Sequence, residues 1–320
     1  MKNPLVTILV YTYNGEKFIE EQLKSLISQT YKNIEILIFD DFSTDNTIQM
    51  IENFIINHPT FSIQLFKNNQ NIGILKNVER SFHYINGKYI ALCDQDDVWD
   101  QNKIKILVTN IKENILIYSN IQIMDKNSSL LNIKVVKNPF ENNNYKAFWF
   151  SNYISGHSML FTKELVQYLL PFPSKAYIHP DWYIAYIASI HGNIKYLDQT
   201  LVSYRQHDTQ ITKFDDQSNT KKSKIDKKIK ILKALNEYQL NNYTDQDLLE
   251  SLINSFEQLQ KSYFDIKLYL ILRKYYKDFF PFEKRKNLSF RYAKGVFYDK
   301  FNTITIILFL IYFIYYIIKR

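Results

Sequence analysis

Residues 5–29 read LVTILVYTYNGEKFIEEQLKSLISQ, and the spacing of apolar residues changes part-way along. LVTILVY (5–11) is a near-continuous apolar run rich in β-branched residues, the composition of a strand buried on both faces. It breaks at Asn14-Gly15, a turn pair. From residue 16 onward, Phe18, Ile19, Leu23, Leu26 and Ile27 fall on one helical stripe. A strand, a turn and a helix therefore follow one another.

The alternation repeats. IEILIFD (34–40) reads as a second strand, and Ser43-Thr44-Asp45 supply helix-start chemistry before TIQMIENFIIN. FSIQLFKN (61–68), a helix around 74–85 and KYIALCD (88–94) form two further units. Near-continuous apolar strands separated by amphipathic helices predict an α/β fold with a mostly parallel, Rossmann-like sheet flanked by helices. Ligands of such sheets gather beyond the carboxyl ends of the strands. That rule puts Tyr13-Asn14-Gly15, Asp40-Asp41, Asn71 with Gly73, and the acids after Cys93 on one rim.

Those acids are dense: ALCDQDDVWD (91–100) carries Asp94, Asp96, Asp97 and Asp100. Neighbouring carboxylates raise one another's pKa, so a chain either neutralises such a cluster with a cation or exposes it fully.

From 115 to 161 the sequence turns to short strands and polar loops, ending in SGHSMLF. A helix at KELVQYLL, the proline-bounded loop PFPSKAYIHP, a helical segment DWYIAYIASIHG (181–192) and a strand KYLDQTLVSYRQH follow. After Asp215 the composition shifts. KKSKIDKKIKILKALNEY sets Ile225, Ile229 and Leu232 on one stripe of a basic amphipathic helix, and Thr244 with Asp247 is a loose capping box before a long helical stretch. Residues 303–318 are uncharged and largely apolar, slightly short of the ~20 residues that span a bilayer. A tilted span, an interfacial anchor and burial against the helical region all remain open for them. The expected organisation is an α/β domain at 1–215, a basic helical region at 216–300 and an apolar membrane-associating segment at 301–320.

The chain has 320 residues, 46% of them apolar, enough for a sizeable core, and a net charge of +8 that suits an anionic partner. Its one cysteine, Cys93, excludes an internal disulfide framework and fits a reducing compartment. The N-terminus reads as a strand meeting a turn and not as a signal peptide. Nucleic acid is not the expected anion, because the lysines sit in the helical appendage while the rim is acidic.

Taken in order, VTILVYTYNGEKFIEEQLKSLISQT, FDDFSTDNT, NIG, CDQDD, SGHSMLF, HPDWYIA and YRQH resemble the family 2 glycosyltransferases, whose nucleotide-binding fold is called GT-A. The resemblance covers about residues 4–212 and is nearest the bacterial rhamnosyltransferase-like members. It implies an inverting transfer from a nucleoside-diphosphate sugar, dTDP-rhamnose or a UDP-sugar, to a cell-surface polysaccharide or lipid-linked glycan, with Mg²⁺ or Mn²⁺ as cofactor. The basic helix and the apolar tail are then expected to hold the enzyme at the inner face of the cell membrane, and the basic run KRKNLSFRYAK (284–294) upstream of the tail puts that flank on the cytoplasmic side. The same fold without catalysis, as a nucleotide-sugar or nucleic-acid binding protein, is the alternative.

Residue by residue, the resemblance casts Asp181 as the base that takes the acceptor hydroxyl's proton. Asp94, Asp96 and His207 become metal ligands, with Asp94 also facing the ribose and Asp97 standing behind them. Thr12, Tyr13, Asn14, Asp41 and Lys76 would meet the nucleotide, and Arg205 offers a fork for the diphosphate. Gly156 and Trp182 would line the sugar or acceptor pocket. Plainer roles stand beside these: a helix cap for Asp41 or Asp181, a solvated face for Lys76 or His207, a turn for Gly156, core packing for Trp182. HPDWYIA departs from the family's usual run, since Pro180 separates His179 from Asp181 and Tyr183 stands where a second Trp is common.

Overall fold

The structure, a computed structural model, describes residues 3–136, 139–141, 143–173, 178–207, 221–238, 245–261, 271 and 274–275. Its contacts divide the chain after Asp215 into two compact units.

The first unit opens with β1 (Val6–Thr12), α1 (Ile19–Ile27), β2 (Ile34–Asp40), α2 (Thr47–Asn57), β3 (Ile63–Lys67), α3 (Ile74–Ser81) and β4 (Tyr89–Asp94). All seven residues of β1 are buried, because β2 and β4 flank it and helices cover the sheet. Ile8, Val10, Ile36, Ile38 and Ala91 pack there with Leu23 and Leu26 of α1 and Ile51 and Phe54 of α2. These four strands are parallel, in the order β3-β2-β1-β4. Thr12 pairs with Asp40, and Tyr11 with Asp94, so their carboxyl ends finish level.

The rest departs from the expected parallel pattern. After β5 (Val98–Trp99) and α4 (Lys103–Ile111) come β6 (Leu116–Met124), β7 (Leu130–Lys134), β8 (Met159–Thr162), the single turn α5 (Val166–Leu169), α6 (Pro180–His191) and β9 (Ile194–Arg205). β8 inserts antiparallel between β4 and β6, β6 pairs parallel with β9, and β5 and β7 join antiparallel at the margins. Among the described residues the nine strands thus form one mixed sheet.

In the second unit, α7 (Lys221–Glu237) packs on α8 (Gln246–Lys261). The stripe of Ile225, Ile229 and Leu232 is buried, as are Leu249, Leu252 and Phe256 of α8, and Lys233 pairs with Glu257 at 2.7 Å. The apolar stripe is therefore enclosed by protein, leaving Lys227 and Lys230 on the exposed side. Among the described residues no helix is long and apolar enough to cross a membrane. Thr244, the basic run at 284–294 and the segment 301–320 lie outside the described residues.

Candidate functional site

The loops beyond β1, β2, β3 and β4 are tied together by hydrogen bonds. The Tyr13 backbone N–H donates to Gln95 Oε1 at 2.9 Å, and Gln95 Nε2 returns a bond to the Tyr13 carbonyl. Asn14 accepts from the Thr44 N–H at 2.8 Å and donates its own N–H to Ser43 Oγ. Asp41 Oδ1 accepts from Asn68 Nδ2 and the Ile72 N–H, and its Oδ2 accepts from the Gly73 N–H at 2.9 Å. Gly73 has φ +81°, a backbone state that a side chain would strain. Asp41 therefore does not cap α2; it shapes the loop that opens α3.

Beyond β4 the acids are distributed between two histidines. His157 Nδ1 lies 3.1 Å from Asp94 Oδ2 and 3.0 Å from Asp97 Oδ2. Burial works against its charged form, but the charge and hydrogen bonds of Asp97 and Asp94 outweigh burial and lift the imidazole to about 10. Asp96 Oδ2 pairs instead with His207 Nε2 at 2.9 Å. Burial, then the charges of Asp97 and Asp94, push the Asp96 carboxyl up to about 6, with His207 pulling the other way. Behind the cluster, Lys103 Nζ donates to the His157 carbonyl at 2.5 Å, set against the ring of Trp99, and burial holds its pKa well below the usual lysine value.

Asp181 opens α6, whose N-cap is His179, so it sits in the first turn and is not the cap. Gly156 runs close against Asp181: a Cβ there would come 3.3 Å from Asp181 Cβ and 3.6 Å from a Leu92 methyl. That contact joins Asp181 to the turn carrying His157. Asn152 Nδ2 donates to Asp181 Oδ2 at 3.1 Å, and the Trp182 N–H to Oδ1 at 2.7 Å. Burial raises the Asp181 pKa, and Asp94 adds to the rise, while His179, the Trp182 N–H and His157 oppose it. A carboxyl so desolvated, beside an acidic rim, has the character of a proton acceptor.

The sequence profile described as "Glycosyl transferase family 2" matches residues 7–170, just over half of the chain. The chain belongs to glycosyl transferase family 2. Among its relatives, this family 2 glycosyltransferase is 29% identical over 219 residues to an uncharacterized glycosyltransferase of Haemophilus influenzae, covering 65% of this chain and 67% of that one. It is 45% identical over 97 residues to the dTDP-rhamnosyl transferase RfbG of Shigella flexneri, 29% of this chain and 34% of the relative. To the UDP-Glc:α-D-GlcNAc-diphosphoundecaprenol β-1,3-glucosyltransferase WfgD of Escherichia coli it is 34% identical over 130 residues, 40% of this chain and 50% of the relative. The chain thus matches only a third to a half of the length of these last two. Staphylococcus aureus TarS, solved with UDP-GlcNAc, superposes with a TM-score of 0.59 at 15% identity, covering 91% of this chain and 88% of TarS. The mannosyltransferase PcManGT of Pyrobaculum calidifontis, solved with GDP-Man and Mn²⁺, gives 0.55 at 14% identity, covering 93% and 82%. At those identities the superpositions speak for the fold alone.

In this glycosyltransferase the expected residues fall into three groups. Asp94, Asp96, His207, Gly156 and Asp181 gather at the carboxyl end of β4. Tyr13, Asn14 and Asp41 stand on the adjoining rim, Tyr13 being 45% exposed. Of the others, Thr12 and Arg205 need correction. Thr12 is buried and gives its hydroxyl to Asp40 at 2.8 Å, so its side chain braces the rim from inside and does not pack on a base. Arg205 is buried with its guanidinium committed to protein acceptors, which removes it as a fork for diphosphate. Trp182 is half-buried and anchors its indole N–H on the Phe148 carbonyl at 2.7 Å, and Lys76 is exposed on α3. His157 and Lys103 were missed. His157 lies within the quoted SGHSMLF, but nothing in that string indicates two carboxylates more than fifty residues away; Lys103 reads as an ordinary solvated helix lysine.

Proposed function

We propose that this family 2 glycosyltransferase moves a sugar from a nucleoside-diphosphate donor, dTDP-rhamnose or a UDP-sugar, to a cell-surface or lipid-linked glycan in one inverting displacement. The observation that carries the reading is the Gly156–Asp181 contact, which sets a desolvated carboxylate beside the acids ending β4. Asp181 takes the acceptor hydroxyl's proton as that oxygen attacks the anomeric carbon, and Asn152 holds the carboxylate in position.

The donor set suits a hard divalent cation. Asp94, Asp97 and His157 offer ligand atoms all within 4.8 Å of one another, with buried Asp97 Oδ2 3.0 Å from His157 Nδ1. Beside them Asp96, raised by its neighbours' charges, is paired with His207. Mg²⁺ or Mn²⁺ held through Asp94, Asp96 and His207, with Asp97 and His157 supporting Asp94, would offset the negative charge of the departing diphosphate. Tyr13, Asn14 and the loop braced by Asp41 meet the nucleotide; Lys76 reaches its phosphates, and Trp182 borders the acceptor. Work at the inner face of a cell membrane, through exposed Lys227 and Lys230, accords with the net charge of +8.

The test measures UDP, dTDP or GDP release from a panel of sugar nucleotides, with and without EDTA. We expect Asp96→Ala and Asp181→Ala each to abolish turnover, and Asp96→Ala alone to weaken metal-dependent nucleotide binding. Turnover that persists in Asp181→Ala, or that ignores EDTA, overturns the corresponding role.

A further inference from the structure

Arg205 ends β9 two residues before His207, and its guanidinium reaches three separate segments of the first unit. Nε donates to the Asp96 carbonyl at 2.7 Å, Nη2 to Glu21 Oε2 of α1 at 2.6 Å, and Nη1 to Ser128 Oγ at 2.9 Å and the Lys126 carbonyl at 3.4 Å, in the turn joining β6 to β7. Its own backbone N–H donates to Asp97 Oδ1 at 3.1 Å. The guanidinium carbon stacks 4.8 Å from the centroid of Phe18, whose ring lies 4.7 Å from that of His207. The side chain is 1% exposed, so a full positive charge has been taken out of water here. Such a charge is tolerated only when it is paired and its donors are filled. Glu21 does the pairing, and it also accepts from Ser128 Oγ at 3.0 Å.

We propose that Arg205 is a positioning residue that fixes the acidic turn for cation binding without touching the donor. Its guanidinium grips the turn at the Asp96 carbonyl, and its backbone N–H, carried on the strand end that the guanidinium anchors, holds the Asp97 carboxylate. Through Phe18 it sets the face against which the His207 ring rests. A lysine cannot replace it, since a single ammonium cannot reach Asp96, Glu21 and Ser128 from one rigid plane.

The inference rests on the reading of the turn as a cation site, so the test has two readouts. In Arg205→Lys, amide hydrogen exchange at 95–97 and 126–129 should accelerate whatever the turn binds. Half-saturation by Mn²⁺ in the presence of UDP, followed by the Mn²⁺ EPR signal, should rise by about tenfold or more, the loss typical when groups orienting metal ligands are removed. kcat should fall further than the donor KM rises. Native exchange rates together with native Mn²⁺ half-saturation overturn the proposal. If Arg205→Lys does not fold, Glu21→Gln, which removes only the counter-charge, should shift both readouts in the same direction by less, and wild-type values there overturn it equally. A wild-type chain that takes up no Mn²⁺ with UDP sinks the cation site, while the exchange readout still decides whether Arg205 holds the turn.

Discussion

Asp181 shows what a single desolvated carboxyl implies. Its ordinary pKa of 3.8 is raised chiefly by burial, so the folded protein disfavours the ionised form that a base requires. With Asp181 as the proposed base, activity is expected above the folded pKa and should be lost as pH falls through it, so the acid limb of kcat/KM should lie at higher pH than for a solvated aspartate. Asn152→Ala removes a donor that favours the anion. A hydrogen bond of about 1 kcal/mol corresponds to somewhat under about one pH unit, so the limb should move up by that order while the fold persists. The measurement is the pH profile of both proteins, and an unmoved limb refutes the link between Asn152 and Asp181.

Among the elements, the loop from β3 to α3 owes its form to Asp41 on a different strand end. Asp41→Ala removes the acceptor of the Ile72 N–H and one of the two acceptors of Asn68 Nδ2 and of the Gly73 N–H. We expect a stability loss of about 2–3 kcal/mol, the scale of hydrogen bonds made to a charged group. Calorimetry with UDP and dTDP should show nucleotide affinity falling by about tenfold, the equivalent of 1.4 kcal/mol; unchanged binding would mean the loop does not meet the nucleotide. The acidic doublet was visible in the sequence, but the donors that Asp41 accepts from were not, because they lie 27 to 32 residues away. β8 escaped for a similar reason: MLFT is apolar whether it pairs parallel or antiparallel, and only its insertion between β4 and β6 decides.

For the whole molecule the charge balance matters most. Forty basic against thirty-two acidic residues favour an anionic surface, and α7 exposes Lys227 and Lys230 while burying its apolar stripe. Binding to phosphatidylglycerol vesicles should therefore be electrostatic, weakening as salt shortens the reach of surface charge. Lys227→Glu with Lys230→Glu should reduce co-sedimentation severalfold, at roughly 1 kcal/mol per lysine near the surface. Salt-insensitive binding would instead point to apolar insertion by another part of the chain.

The sequence by itself determined the alternation of strand and helix through β4, since the apolar periods differ between the two structures and need no distant partner. It also determined that acids, an asparagine and a glycine would crowd one rim, because strands running in parallel bring their carboxyl ends level. Only the tertiary structure decided the antiparallel insertion of β8, the partition of three aspartates between His157 and His207, and the commitment of Arg205 to protein acceptors. Those outcomes depend on which side chains meet across dozens of residues and on what desolvation then costs a charge, neither of which a local pattern encodes.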